Sequence, residues 1–432
     1  MIKRILLYGA TGYMGRLLAQ RAKELELPVV LAGRTQRKVA EVAEQLDLPH
    51  LAFALEPPAA RDERLKRRAP LPTTGQRPSA AGGPNQAVDK ALSNVGVVLN
   101  AAGPFAETAL PLARACLRTG THYVDIGGEH DVFGALRTLY DEASQTGVAI
   151  VPGAGLTVLA SDLLLREALK AGQKYGMGAP HVVRVALSRV PAISRGSAKT
   201  MLESVRNGVR VTQNGRVVAV PVGALVRSFN FGSEDASATA EPRICTAMTL
   251  ADSRFVNATV NAVLNPGRRA SSNLLVPNIE TYVEASSLEQ LSYELGGELA
   301  LALRTFPLKN SLEYALSLWP EGPAAGERDS SGQQVVVELE DRYRRIIEAR
   351  LSTPNSYDFT VAAGLSAASR LTTANHGLEG LLSPGQVVTM AHVEDFLPPR
   401  LKSAAARRER KPQLNARGFA RKSSSRPDAS AT

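Results

Sequence analysis

Three glycines, Gly9, Gly12 and Gly15, stand at G-x-x-G-x-x-G spacing directly after the apolar run Ile5 to Tyr8. Such a run predicts a buried parallel strand. Beyond the glycines, Leu17, Leu18, Ala22 and Leu25 recur at helical spacing. Strand, glycine turn and helix are the setting that a dinucleotide-binding loop requires. Gly9 permits the tight turn, Gly12 lets the backbone approach a pyrophosphate, and Gly15 lets the helix pack close to the strand. The helix N-terminus then offers unpaired N–H groups and the positive end of its dipole to the phosphates. Gly9, Thr11, Gly12, Tyr13, Met14 and Gly15 are therefore the expected cofactor contacts of this loop. An ordinary strand-to-helix turn could use the same glycines, but the position after an N-terminal strand points to a nucleotide.

The second strand, Val29 to Ala32, ends in Gly33-Arg34-Thr35. A site for NAD usually carries an acid here for the ribose 2′-hydroxyl, whereas an Arg matches a 2′-phosphate. Asp and Glu are absent from Pro28 to Lys38, and Arg37 and Lys38 follow closely. Arg34 thus points to NADP, with NAD as the alternative. A further strand, Val95 to Leu99, runs into Asn100-Ala101-Ala102-Gly103-Pro104, whose small residues let a nicotinamide ribose lie against backbone. Loops at the carboxyl ends of strands hold the ligands in such folds. Asp125 and Glu129 close the next strand, Thr121 to Asp125, and its loop. As the expected catalytic pair, they could orient substrate or relay a proton, or equally cap the next helix.

The elements that must position these groups set the architecture. At 432 residues the chain is too long for one compact core, so at least two domains are expected. Strands and helices alternate up to Val151, which predicts an α/β fold with an N-terminal Rossmann doubly wound parallel sheet over residues 1–155. Residues 57–86, rich in Pro, Ala, Arg and Gly, read as a low-complexity insertion. From 156 to 342 the pattern becomes α+β with a mostly antiparallel sheet, suited to substrate binding or oligomerisation. Its strand candidates are His181 to Ser188, Val217 to Val226, Val276 to Ala285 and Val335 to Arg350. Ser197 reads as the cap of a helix over 198–208, and 251–271 reads as a second insertion. Residues 343–400, with a helix from about Val361, should pack back on the nucleotide domain. Residues 401–432 read as a basic disordered tail.

Charge and composition narrow the function. Residues 402–432 carry a net +7 and residues 61–77 a net +4, which leaves −1 for the rest of a chain whose total is +10. The basic excess sits outside the folded parts, so no nucleic-acid partner is expected. Cys116 and Cys245 are the only cysteines, and the six His show no H-x-x-x-H spacing, so neither a disulfide framework nor a metal site is expected. No apolar run approaches the roughly 20 residues of a membrane span. A first strand starting at Ile2 leaves no room for a signal peptide, and the cytoplasm is the expected compartment.

Several stretches together resemble the saccharopine dehydrogenase-like oxidoreductases, in particular the branch that includes the trans-acting enoyl reductases. They are Gly9 to Gly15, Ala32-Gly-Arg34, Asn100 to Phe105, Tyr123-Val-Asp-Ile-Gly-Gly-Glu129, Pro152-Gly-Ala-Gly155 with Ser161-Asp162, Ser194-Arg-Gly-Ser197, Val276 to Tyr282 and Ser352 to Thr360. They run in family order from residue 5 to about 400. The two insertions and the tail depart from the pattern, and the family usually has Thr where this chain has Gly127. The resemblance implies a reductase that uses NAD(P)H on a C=N or C=C bond. It implies a small-molecule or acyl substrate, a chain held on a carrier protein among them, and a homodimer. In such a site Arg195 could hold an anionic substrate group, or be a solvated charge on a turn.

Two other classes share the glycine loop. A short-chain dehydrogenase needs Tyr-x-x-x-Lys, and none of the ten Tyr residues has Lys four positions on. A non-catalytic NADP-binding sensor or scaffold remains the alternative function.

Overall fold

The computed structural model describes residues 3–55, 86–189, 195, 208–232, 241–249, 252–266, 274–285, 322–323, 326, 332–373, 376–402 and 412–418. The expected insertion at 57–86 and the Ser194–Ser197 helix cap lie outside them, apart from Gln86 and Arg195. Strand β1 (Arg4–Tyr8) enters α1 (Tyr13–Glu24), then β2 (Val29–Gly33), α2 (Gln36–Leu46) and β3 (His50–Ala52). Next come α3 (Gln86–Leu92), β4 (Val95–Asn100), α4 (Phe105–Thr119), β5 (His122–Asp125), α5 (His130–Arg137), α6 (Tyr140–Thr146) and β6 (Ala149–Val151). A wide helical turn, Leu156–Ala160, opens α7 (Ser161–Lys174), followed by β7 (Val182–Leu187), β8 (Val209–Gln213), β9 (Arg216–Val220), β10 (Val226–Phe229) and β11 (Arg243–Ala247). Then follow α8 (Asp252–Leu264), β12 (Asn278–Glu284), β13 (Gln333–Glu340), β14 (Ile346–Thr353) and α9 (Ser356–Thr372). The chain closes with β15 (Gly380–Leu381), α10 (Pro384–Val387), α11 (Met390–Phe396) and β16 (Gln413–Arg417).

Two sheets result, as the change of pattern along the chain predicts. The first has seven parallel strands in the order β15-β6-β5-β4-β1-β2-β3. Its central strands are buried on both sides, as continuous apolar runs require. One face packs Ile5, Leu7, Val97 and Leu99 against α1, α2 and α9; the other packs Leu6, Val98 and Tyr123 against α3 to α6. The second sheet follows the path β10-β11-β12-β7-β13-β14-β16, with β8 and β9 paired at one side. It is mostly antiparallel, β12 and β7 being its parallel pair among the described residues. Val183, Val185, Val335, Val337 and Leu339 face α7 and join the core that also holds Ile5 and Leu99. One apolar body therefore runs through both sheets.

Several elements differ from the sequence reading, each for a local reason. The helix read as starting near Val361 begins at Ser356, because the Asn355 side chain accepts from the Tyr357 and Asp358 amides and caps it. Residues 251–271, read as an insertion, contain α8, whose Val256 and Val260 are buried in the core. The tail read as disordered from 401 contains β16, which pairs antiparallel with β14 from Ile346↔Arg417 to Arg350↔Gln413. An exposed five-residue strand with one half-buried residue carries too weak an alternation to be read from sequence. The run Val335 to Arg350 is a hairpin, turned where Asp341 Oδ1 accepts from the Tyr343 and Arg345 amides.

Candidate functional site at the switch point of the parallel sheet

From β1 the chain winds to β2 and β3 in one direction and to β4, β5 and β6 in the other. The strand order therefore reverses between β1 and β4, where doubly wound folds bind ligands. Register sets the carboxyl ends side by side: Tyr8 lies opposite Ala32 and Asn100, and Asn100 opposite Asp125.

The glycine loop fits a dinucleotide. Gly9 has φ +90°, and a Cβ there would stand 2.6 Å from the Ala102 nitrogen. A Cβ on Gly15 would stand 2.0 Å from the Gly9 carbonyl oxygen. These two glycines let the loop meet the backbone after β4 and let α1 close on the loop. Gly12 differs. It is exposed, and the nearest atom to a Cβ there is the Gly9 oxygen at 3.5 Å. It is the N-cap of α1, no side chain caps the helix, and no acid sits in its first turn. Backbone amides at a helix start, with open space before them, make a cradle for a pyrophosphate.

The other residues of the loop divide. Met14 packs against the core. The Thr11 carbonyl accepts from Arg16 Nε at 3.2 Å. The Tyr13 side chain is held from outside the loop: its hydroxyl donates to the Pro323 carbonyl at 2.6 Å, and its ring meets Tyr357 edge-on at 5.4 Å. Only the Tyr13 backbone is at the helix start. At the end of β2, Arg34 is exposed just past buried Gly33, Arg37 pairs with Glu41 at 2.9 Å, and no acid occupies the first turn of α2. Arg195 is half-buried.

After β4, the Asn100 side chain is fully buried. Its Nδ2 donates to Thr108 Oγ1 and to the Tyr123 hydroxyl, both at 3.1 Å, and its Oδ1 accepts from the Ala102 amide at 3.0 Å. Thr108 in turn donates to the Ala102 carbonyl at 2.6 Å. Asn100 thus shapes the loop from within, while Ala101 and Ala102 are half-buried and Gly103 and Pro104 exposed.

Asp125 is 1% exposed. Its Oδ1 accepts from the Gly127 and Gly153 amides at 2.9 and 2.8 Å, and its Oδ2 accepts from the Tyr123 hydroxyl at 2.8 Å. Burial pushes its carboxyl up to about 6, against the pull of those hydrogen bonds and with a further push from Glu129. Glu129 accepts from the Phe105 and Ala106 amides, each at 3.0 Å, and so caps α4. That helix precedes Glu129 in the chain by two elements. The cap is tertiary, and α4 begins at Phe105, beside it. Space for a side chain at Gly127 is taken by the Phe105 ring, 3.0 Å from a Cβ there, and by Asp125 Oδ1 at 3.3 Å.

Sequence reasoning missed Tyr123 and Thr108. Tyr123 sits two residues before Asp125 on one face of a strand, a period-two signal that was available. Thr108 is three residues into a helix and carries no such signal. Among the described residues, no group of three His, Cys, Asp or Glu could hold a metal ion, and no helix is long and apolar enough to cross a membrane.

Together, the reversed sheet, the glycine cradle and the loops after β4 and β5 define a dinucleotide-binding protein. Residues 5–151 match the family of saccharopine dehydrogenase NADP-binding domains, so the N-terminal domain is of that type and NADP is its cofactor. The chain is 31% identical over 162 residues to a trans-acting enoyl reductase of Mycobacterium leprae, covering 37% of this chain and 34% of that one. It is 26% identical over 227 residues to a trans-acting enoyl reductase of Mycobacterium ulcerans, covering 50% and 48%. The chain thus spans between about a third and a half of the length of these curated relatives. Its fold is that of apo saccharopine dehydrogenase (L-Glu forming) from Saccharomyces cerevisiae, with TM-score 0.51, 13% identity and coverage of 96% and 100%.

Proposed function

We propose that this chain is an NADPH-dependent oxidoreductase that reduces a C=C or C=N bond of a small-molecule or acyl substrate. The observation that carries the reading is the crevice at the strand reversal. There an open glycine cradle, an exposed Arg34 with no acid in the helix turn after it, and the loop after β4 follow the carboxyl ends of neighbouring strands. NADPH, when bound, supplies the hydride. Gly12 and the start of α1 receive the pyrophosphate, and Arg34 meets the 2′-phosphate. Backbone of Ala101, Ala102, Gly103 and Pro104 supports the nicotinamide ribose. In this reading Asp125 and Glu129 hold the loops, since both carboxylates accept backbone amides.

The names of the mycobacterial relatives support an enoyl substrate; an acyl chain on a carrier protein and a homodimer are part of the proposal. We assign the protein to the cytoplasm; both cysteines are buried free thiols, which suits a reducing compartment. NADPH consumption, followed with enoyl thioesters free and carrier-bound, imines and aldehydes, tests the reading. Turnover with one class supports it. Tight NADPH binding without turnover across the panel replaces it with a sensor or scaffold.

A further inference from the structure

We infer that Asp125 is a positioning residue: through one hydrogen-bonded network it fixes the three loops that wall the nicotinamide side of the crevice. The inference rests on the cofactor reading above. Doubly wound folds are built from two mononucleotide-binding halves, and Arg34 belongs to the half formed by β1 to β3. The other half ends in the loops after β4, β5 and β6, and Asp125 touches or reaches all three. Its carboxylate holds the Gly127 amide in its own loop and the Gly153 amide after β6. Its carbonyl accepts from the Ala154 amide at 2.7 Å. Through the Tyr123 hydroxyl it reaches Asn100, which holds the Ala102 amide and, with Thr108, the loop after β4.

The directions of these bonds are determined. An amide N–H can only donate, so Ala102 makes Asn100 Oδ1 an acceptor and leaves Nδ2 to donate to Tyr123. Tyr123 must then donate to Asp125. The Asn100–Tyr123–Asp125 path therefore donates toward the carboxylate, which is where its anchor lies. No proton passes outward through this path, because its far end is an Asn side chain that keeps its N–H bonds. At 1% exposure, Asp125 touches no substrate either. Asp125→Asn keeps the shape and turns a donor toward Tyr123. The Tyr123 hydroxyl proton then loses its acceptor, which weakens the tie between the loops after β4 and β5.

Calorimetric titration of wild type, Asp125→Asn and Tyr123→Phe separates the outcomes. Two ligands are used: NADPH, and 2′,5′-ADP, which keeps the adenosine phosphates and lacks the nicotinamide half. NADPH should weaken about tenfold in Asp125→Asn, the effect of roughly one lost hydrogen bond, and by less in Tyr123→Phe. Binding of 2′,5′-ADP should stay within about twofold. The difference between wild type and Asp125→Asn should shrink as pH falls below about 6, because protonating the wild-type acid removes the same acceptor. The titratable groups facing Asp125 are Tyr123 and Glu129; β4 contributes Asn100 and the loop after β6 only backbone, while α9 meets the neighbouring Ile126 and Gly155 through the uncharged Gly364 and Thr360. Equal loss of both ligands, or no loss of NADPH in either variant, overturns the inference. Wild type that binds neither ligand overturns the cofactor reading and the inference with it.

Discussion

In the parallel sheet, buried polar side chains gather at strand ends, whereas in the mixed sheet they cross the middle of a face. Asn100 and Asp125 end β4 and β5, Tyr123 stands two residues before Asp125, and His122 opens β5 at its other end. In the mixed sheet, Arg184 on β7 meets Glu280 on β12 at 3.2 Å, and Glu338 and Glu340 on β13 at 2.6 and 2.8 Å. Arg227 adds to Glu338 at 2.8 Å, and Arg417 on β16 reaches Glu348 at 2.9 Å. Burial opposes the charge of Arg184, but the Glu340 hydrogen bond and the Glu338 and Glu280 carboxylates raise its pKa further. The difference separates two uses of polarity. At strand ends, neighbouring loops can be held for a ligand; across a face, charges pair with one another and set register. Damage to the face should therefore appear as lost stability, and damage to the ends as lost binding.

The largest effect is expected at the face. Arg184→Leu leaves two buried carboxylates, Glu338 and Glu340, and the half-buried Glu280 without their common partner, and should cost about 3–5 kcal/mol of stability. NADPH affinity of the fraction that remains folded should be unchanged. Urea denaturation with and without NADPH checks both, and a selective loss of affinity would break the comparison.

At the ends, Gly12→Val should keep the fold, since a Cβ meets nothing closer than 3.5 Å. It should abolish NADPH-induced stabilisation, which in wild type amounts to about 2.7 kcal/mol at a hundredfold excess over Kd. Gly15→Ala should do the reverse and lower the melting temperature without ligand, because its Cβ would meet the Gly9 oxygen at 2.0 Å. If Gly12→Val still responds to NADPH, the loop is not the phosphate site.

Arg34→Ala should weaken NADPH by roughly 1.5–3 kcal/mol, the scale of a charged hydrogen bond, and leave NADH little changed. Equal losses for the two cofactors would remove the 2′-phosphate assignment.

The smallest net effect comes from two groups at opposite ends of β5. Asp125, raised to about 6, adds stability below pH about 4 that is lost as pH rises through 6. His122 is lowered to about 4 by burial, then by His376 and Lys3. It adds stability above its ordinary value of about 6.5 that is lost as pH falls through 4. The slopes oppose each other, so these groups should leave wild-type stability nearly flat across that window. Asp125→Asn should uncover the His122 slope and make the protein less stable on acidification; His122→Gln should uncover the Asp125 slope. Denaturation midpoints across the window decide, and parallel profiles for all three proteins contradict the assignment.

How much of this was legible in the sequence differs between elements. β1, α1 and β2 could be read closely because apolar runs and helical spacing are local. β14 and β13 were read as one strand because the turn between them is made by Asp341, which takes two amides where the sequence shows only a polar stretch. α8 looked like an insertion because its buried side is narrow, and β16 looked like tail because it is exposed.

By itself the sequence determined the strand, glycine turn and helix unit and the acid-free end of β2. Each depends on residues close in the chain: a φ of +90° suits glycine, and absence of an acid is a matter of composition. Only the tertiary structure decided how the polar groups are used. Glu129 caps a helix start 24 residues earlier, Asp125 holds an amide 28 residues later, and Tyr13 reaches a carbonyl 310 residues away. Those partners are set by strand order and burial, which bring distant backbone groups within hydrogen-bond reach, and no local period encodes them.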